Sequence, residues 1–328
     1  MKWELINTTR KSWVDALRGL AILLVVYGHC IKWMPLYWIF TNPFKMPLFF
    51  AITGYVFNMG SIVSWGKFLK QLFRKVFVPW MFLGLSPAVI MLPFKGFGYI
   101  INVFLGMLAG RTLWFMPCFF IGEIIWYINT RYCKKTLGIT ILAFVCFGLG
   151  NILFRNGLMN YAMFNRALSV QPFFLIGYLF RQYENRIITI RWRWILVAII
   201  VYIGLCLLNM VLFPGKWVGI HANRYYNLPY CILLIYLSCF IFFTAASKAD
   251  FRSNIMSFIG QNTLVIYILH GIFIALLVKG LFMMGYVLPI NEWTAIVMSI
   301  FACLTCGIIA IILNRFLPEA VGKKRLEK

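Results

Sequence analysis

The sequence has few charged residues, and this scarcity excludes most kinds of soluble protein. Only 12% of its 328 residues are Asp, Glu, Lys or Arg, whereas 62% are hydrophobic. Soluble domains carry about 25% charged and about 45–50% apolar residues. Acidic residues are scarcest, with 8 Asp and Glu against 31 Lys and Arg. This composition excludes a soluble enzyme and a disordered chain.

Paired cysteine motifs are lacking as well. The 9 cysteines are an odd number, most are scattered inside apolar segments, and no CxxC pair occurs. The spacing of the cysteines fits neither a disulfide framework nor a zinc site. We therefore expect no metal, and we interpret the cysteines as small packing residues.

The hydrophobic residues come in runs whose lengths match a membrane. A helix needs about 20 apolar residues to cross the hydrocarbon core. The sequence predicts a single all-α domain over residues 1–328, a polytopic transmembrane helical bundle with no appended soluble domain. We expect ten spans, at 13–34, 43–60, 74–94, 112–129, 136–153, 168–181, 192–213, 226–247, 260–284 and 292–316. The apolar segment 97–109 is too short to span comfortably, and we expect it to be re-entrant or interfacial.

The basic residues predict the orientation of these spans. Lys and Arg collect in the cytoplasmic loops of membrane proteins. If both termini are cytoplasmic, most of the 31 basic residues fall on the inner side. We therefore interpret the positive charge as a topology signal, and we expect no nucleic-acid partner, because basic patches that bind nucleic acid cluster on a solvated face.

Ionisable side chains inside a bilayer are costly, so those within the predicted spans are functional candidates. In the first span, Arg18 and His29 are separated by about 16.5 Å of helix and fall within roughly 20° of one another around its axis. Asp15 lies one turn before Arg18 and can pair with it. One helix face thus carries a cation near one membrane edge and an imidazole near the other. The remaining candidates, in the fourth and ninth spans, are Glu123 and His270.

Five segments, taken in order, resemble the membrane acyltransferase family 3. The first is Asp15-Ala-Leu-Arg18-Gly19 followed by His29, which is similar to the first-helix signature of that family. The resemblance covers residues 13–275 and is strongest to the fucose 4-O-acetylase-like branch. The other four segments are FKMPLFFAITGY at 44–55, LWFMPCFF at 113–120, PFFLIGY at 172–178 and IGQNTLVIYILH at 259–270.

The resemblance implies an enzyme of the bacterial inner membrane that moves an acyl group, usually acetyl from acetyl-CoA, to a sugar hydroxyl. The acceptor would be a cell-surface polysaccharide or a lipid-linked glycan precursor. Acetyl-CoA would enter from the cytoplasm as a co-substrate, and no cofactor is expected to be bound permanently. His29 would be the general base, since the pKa of a histidine suits proton transfer near neutral pH.

The chemistry of other residues suggests further roles that fit this reaction. Glu123 would orient His29 if their two helices are neighbours, and His270 would complete the catalytic group. The supporting residues would be Asp15, Tyr55, Trp114 and Asn262, and the acceptor would meet Arg111 and Arg224. The family often has an Arg-x-x-Arg pair before the third span, whose first position is Gln71 here. The CoA phosphates would be bound by Arg18, Lys70, Arg74 and Lys75.

Two other functions compete with this interpretation. A transporter, such as a flippase of lipid-linked sugars, commonly has internal repeats, and none is evident in this sequence. A glycan polymerase or ligase would carry a large outer loop, whereas the predicted outer loops are short. Consumption of acetyl-CoA would separate the enzyme from both alternatives.

Overall fold

The computed structural model describes residues 11–31, 34–57, 64–289 and 291–323. Within these ranges the chain forms α-helices and no β-strand, which confirms the predicted all-α class. The helices are α1 Ser12–Cys30, α2 Pro35–Lys45, α3 Pro47–Val56, α4 Trp65–Leu72, α5 Val78–Ile90, α6 Leu92–Lys95, α7 Phe97–Leu108, α8 Phe115–Tyr132, α9 Thr136–Arg155, α10 Phe164–Ser169, α11 Gln171–Ile187, α12 Trp192–Leu212, α13 Leu228–Lys248, α14 Asn254–Gln261, α15 Thr263–Met283 and α16 Glu292–Phe316.

Seven helices in the described part of the chain are long and apolar enough to cross a membrane. They are α1, the continuous helix Trp65–Ile90 that contains α4 and α5, and α9, α12, α13, α15 and α16. They coincide with seven of the ten predicted spans, so the chain is a multi-pass membrane protein. The count of ten and the cytoplasmic location of the termini stay predictions.

The other three predicted spans contain shorter or more polar helices. The second span, 43–60, is divided between the end of α2 and α3, because Pro47 begins a new helix and has no N–H to continue the first one. The fourth and sixth contain α8 and α11, of 18 and 17 residues. Segment 97–109 forms α7, an apolar helix of 12 residues, which reaches only about 18 Å.

Helix α1 is the central helix of the bundle. It packs against α2, α3, α13, α14, α15 and α16. In its most apolar window 67% of the residues are buried, against 22% for α12 and α16. The helix that carries Arg18 and His29 therefore faces protein on most sides, whereas α12 and α16 present much of their apolar surface outward.

Glycines from the family-like segments make the closest helix contacts. A Cβ atom on Gly260 of α14 would overlap the carbonyl oxygen of Asp15, and Gly19 of α1 lies at the same crossing. Gly54 of α3 and Gly177 of α11 form a second crossing, where a Cβ on either would overlap the opposite backbone. Small residues allow membrane helices to approach this closely.

Candidate active site

His29 and His270 meet at one end of the bundle. His29 is the penultimate residue of α1, and His270 lies in the first half of α15. Their ring centroids are 5.0 Å apart, with 50° between the ring planes. His29 is exposed, whereas His270 retains 6% of its accessible surface. The pair thus consists of one open imidazole and one enclosed by protein.

The orientation of His270 is fixed by its own helix. Its Nδ1 lies 2.9 Å from the carbonyl oxygen of Ile266. Because a carbonyl only accepts, Nδ1 must carry the proton, which leaves Nε2 of the neutral ring as an acceptor. Three residues before His270, the hydroxyl of Tyr267 accepts a hydrogen bond of 3.4 Å from the backbone N–H of Phe115. These bonds hold the buried half of the pair in place.

Lys45, at the end of α2, is a functional candidate that sequence reasoning missed. The residue is only 7% exposed, and its Nζ lies 4.2 Å from the ring centroid of Trp38 and 4.7 Å from that of Tyr37. Its charge acts on His29, and a Cβ on Gly28 would come within 3.2 Å of Nζ. In the sequence, Lys45 is distinguished only as a lysine inside an apolar run, and it belongs to the family-like segment 44–55.

Arg18 lies toward the opposite end of α1. Its Nη1 is 3.6 Å from Oδ1 of Asp15, so the pair expected from their spacing forms. Asp15 is buried at 3% exposure and also accepts a hydrogen bond of 3.3 Å from Gln261 Nε2. A buried carboxylate held from two sides fixes the position of the arginine.

Glu123 lies near this Arg18 end. The charges that act on its carboxylate are those of Lys75 and Arg18, whereas those that act on His29 come from His270 and Lys45. No described contact therefore supports the role expected for Glu123 in orienting His29. Glu123 therefore lies closer to the cations at the other end of α1 than to the histidine pair.

Arg74 and Lys75 occupy a π-helical turn, Phe73–Phe77, between α4 and α5. Such turns occur frequently at functional sites. The Nε atom of Arg74 is buried and has no hydrogen-bond partner among the residues that the structure describes. Lys70 and Lys75 are exposed. The turn at Gly322 packs against the backbone of Arg74 and Lys75, so the chain near its C-terminus supports this group of cations.

Two of the expected supporting residues take part in polar networks near the Arg18 end of the bundle. The Tyr55 hydroxyl donates to Glu184 at 2.9 Å and accepts from Lys11 Nζ at 2.7 Å. Asn262 Oδ1 accepts from Asn314 Nδ2 at 2.9 Å. These bonds join the residue before α1 to α3 and α11 in the first case, and the residue between α14 and α15 to α16 in the second, which is a structural role.

The remaining candidates lie in loops at the His29 end. Trp114 packs edge-on against His221, with ring centroids 5.7 Å apart, and Arg166 Nε donates to the His221 carbonyl at 2.9 Å. Partial burial, with the charges of Arg166 and Arg224, lowers the pKa of His221, so the ring is neutral at neutral pH. Arg224 lines a cavity, and Arg111 is exposed in the turn before α8.

Comparison with known proteins decides the family. The model of acyltransferase family 3, described as an acyltransferase domain, matches residues 11–313. The chain belongs to this family. The resemblance of the five segments is thereby confirmed, and membership of this family supports a membrane acyltransferase. This membership favours the enzyme over the transporter and polymerase alternatives.

One curated relative of this acyltransferase is the nodulation protein NolL of Mesorhizobium japonicum. The two are 24% identical over 206 residues, which cover 57% of this chain and 52% of the relative. The match thus spans about half the length of that protein. No solved structure matches the chain significantly.

Proposed function

We propose that this acyltransferase moves an acetyl group from acetyl-CoA to a hydroxyl of a sugar, in a cell-surface polysaccharide or its lipid-linked precursor, at the inner membrane of a bacterium. The observation that carries the proposal is the layout of α1. The helix holds an exposed imidazole, His29, at one end and a fixed cation, Arg18, at the other. A donor bound by its phosphates at one end can thereby present its thioester at the other.

His29 acts as the general base in this proposal. Its imidazole takes the proton of the acceptor hydroxyl while the oxygen attacks the thioester carbonyl and forms a tetrahedral intermediate. The carbon–sulfur bond then breaks, the ester remains on the sugar, and the CoA thiolate recovers the proton from the imidazolium. His270 packs against His29 and positions it.

Lys45 supplies positive charge beside the histidine pair. A negative charge develops on the carbonyl oxygen in the tetrahedral intermediate, and fixed positive groups in a dry site stabilise such charge strongly. Lys45 is buried, and its neighbours include two aromatic rings rather than a carboxylate. In its protonated form this lysine can stabilise a negatively charged reacting group.

The cations near the other end bind the CoA phosphates. Arg18 contributes with Arg74, whose buried Nε has a free hydrogen-bonding position among the described residues, and the exposed Lys70 and Lys75 lie on the adjoining turns. Charge-assisted bonds from arginine suit phosphate oxygens. Glu123 lies near these cations. The span from Arg18 to His29, about 16.5 Å, is on the scale of an extended pantetheine arm.

The donor is tested with purified protein in lipid nanodiscs and acetyl-CoA labelled in its acetyl group. A glycan extract serves as the acceptor, and butyryl-CoA and palmitoyl-CoA serve as controls for chain length. The proposal predicts that labelled acetyl groups appear on the glycan at a rate that saturates with acetyl-CoA, and that mild alkali releases them, as it does from an ester. Label on the glycan only from a longer-chain donor would contradict the acetyl assignment, and release of free CoA without any ester would contradict the transfer.

A further inference from the structure

A cavity of about 390 Å³ opens in the segment that joins α12 to α13. The side chains around it are of two kinds, cationic and aromatic, together with one buried amide. They are Lys216, Trp217, Asn223, Arg224, Tyr225 and Tyr226. The volume falls within the range of small-molecule sites, about 300–1,000 Å³.

Two residues beside the cavity carry buried polar atoms that have no partner among the described residues. Asn223 is 7% exposed, and while its Nδ2 donates to Ser169 Oγ at 3.0 Å, its Oδ1 is buried and unpaired within the described part of the chain. The buried hydroxyl of Tyr225 is unpaired in the same sense. Buried polar atoms are nearly always satisfied in proteins. Both atoms are enclosed by protein, so recognition of a ligand in the cavity falls to the charged and aromatic side chains around it.

The charge of the segment is positive. Residues 213–227 include Lys216 and Arg224 and contain no Asp or Glu. Both side chains are exposed. Trp217 and Tyr226 offer aromatic surface to the apolar face of a sugar ring. The combination favours a saccharide that carries a negative charge over a neutral one.

The segment lies at the same end of the bundle as the histidine pair. Asn42 Nδ2 of α2 donates to the Val218 carbonyl at 2.8 Å, which ties the segment to the helix that carries Lys45. Ring contacts also connect the segment with His29, with centroid distances between 5.0 and 6.2 Å. They run in the order His221, Trp114, Phe115, Tyr267, His270 and His29.

We propose that this cavity binds an anionic sugar unit of the acceptor, through Lys216 and Arg224, and presents a hydroxyl of the acceptor to His29. The negative group is a carboxylate, as in a uronic acid, or a phosphate, as in a lipid-linked sugar. Trp217 and Tyr226 pack against the sugar ring. The inference rests on the proposed acyl transfer and specifies the class of its acceptor.

The test compares three soluble probes with the wild-type protein in nanodiscs: a neutral oligosaccharide, an oligosaccharide of uronic acids and a sugar phosphate. Equilibrium binding and acetyl transfer are both measured for each probe. We expect one charged probe to bind more tightly than the neutral one, and the identity of that probe distinguishes a carboxylate from a phosphate acceptor. Equal binding of all three, or tighter binding of the neutral probe, overturns the inference.

Variants assign the effect to the cavity. Lys216→Ala and Arg224→Ala should each weaken binding of the preferred probe roughly tenfold, as the loss of one charge-assisted hydrogen bond predicts, and leave the KM for acetyl-CoA unchanged. Arg155→Ala removes an exposed cation that does not line the cavity and should have no effect. Unchanged binding in both cavity variants overturns the inference. If the wild type binds a charged probe through these residues but transfers no acetyl group to any acceptor, the proposed function fails and the cavity assignment stands.

Discussion

The ring of His29 packs against the ring of His270, with 5.0 Å between their centroids. The first residue is exposed and is the penultimate residue of α1, and the second is buried in α15 with its Nδ1 held by the Ile266 carbonyl. Because only His29 is open to a substrate, the proposed mechanism assigns the reaction to His29 and a positioning role to His270. This asymmetry leads to distinct expectations for the two histidines.

Replacing the buried histidine, His270, should slow the reaction without weakening the binding of acetyl-CoA. We expect His270→Ala to lower kcat by about one to two orders of magnitude, less than the full contribution of a general base, and to leave the KM for acetyl-CoA unchanged. His270→Asn, whose amide can still donate to the Ile266 carbonyl, should retain more activity than alanine. Equal activity of the wild type and His270→Ala would show that the contact between the two histidines has no catalytic role.

Lys45 should matter through its charge. Lys45→Met keeps most of the side-chain volume and removes the cation, and we expect kcat to fall by roughly a hundredfold, the scale of losing one oxyanion-stabilising group. Lys45→Arg should be less severe. Lys279→Met, which changes an exposed lysine on α15, is the matched control and should be silent. Similar kcat values for Lys45→Met and the control would exclude a catalytic role.

The donor cations should affect binding of acetyl-CoA rather than chemistry. We expect Arg74→Gln to raise the KM for acetyl-CoA by about tenfold with little change in kcat, and the wild-type KM to rise with added salt because exposed charge pairs are screened. Lys134→Gln, at an exposed position outside this group of cations, serves as the control. A fall in kcat with no change in KM would contradict the assignment of Arg74.

The helix crossing between α1 and α14 should tolerate no side chain at Gly260. Alanine normally stabilises a helix relative to glycine by roughly 0.5–1 kcal/mol, but at Gly260 its Cβ would overlap the Asp15 carbonyl. We expect Gly260→Ala to lower the midpoint of thermal unfolding in detergent. Gly148→Ala, at a helical glycine with nothing within 4 Å of the added atom, should leave the midpoint unchanged or raise it. A higher midpoint for Gly260→Ala would contradict the packing described here.

The sequence was most informative where one helix carries the whole pattern. The spacing of Asp15, Arg18 and His29 depends only on helix geometry, and α1 places them as expected. Apolar runs likewise predicted the long helices. The break at Pro47 was not predicted, because the apolar run continues across it while the helix does not.

Contacts between helices could not be predicted in the same way. His29 and His270 were each identified as candidates, but their contact depends on how α1 packs against α15. The same limit explains Glu123, which we expected near His29 and which lies instead near Arg18 and Lys75. Lys45 carried no distinctive spacing, and its burial beside His29 arises only from the packing of α2.

The central claim is that His29 is the base for acetyl transfer, and one comparison tests it most directly. Wild-type protein and His29→Ala are incubated in nanodiscs with labelled acetyl-CoA and glycan acceptor, and binding of acetyl-CoA is measured in parallel to show that the variant is folded. The account predicts that the variant binds the donor like the wild type and transfers label at least about a hundredfold more slowly. Transfer by His29→Ala at the wild-type rate would contradict it.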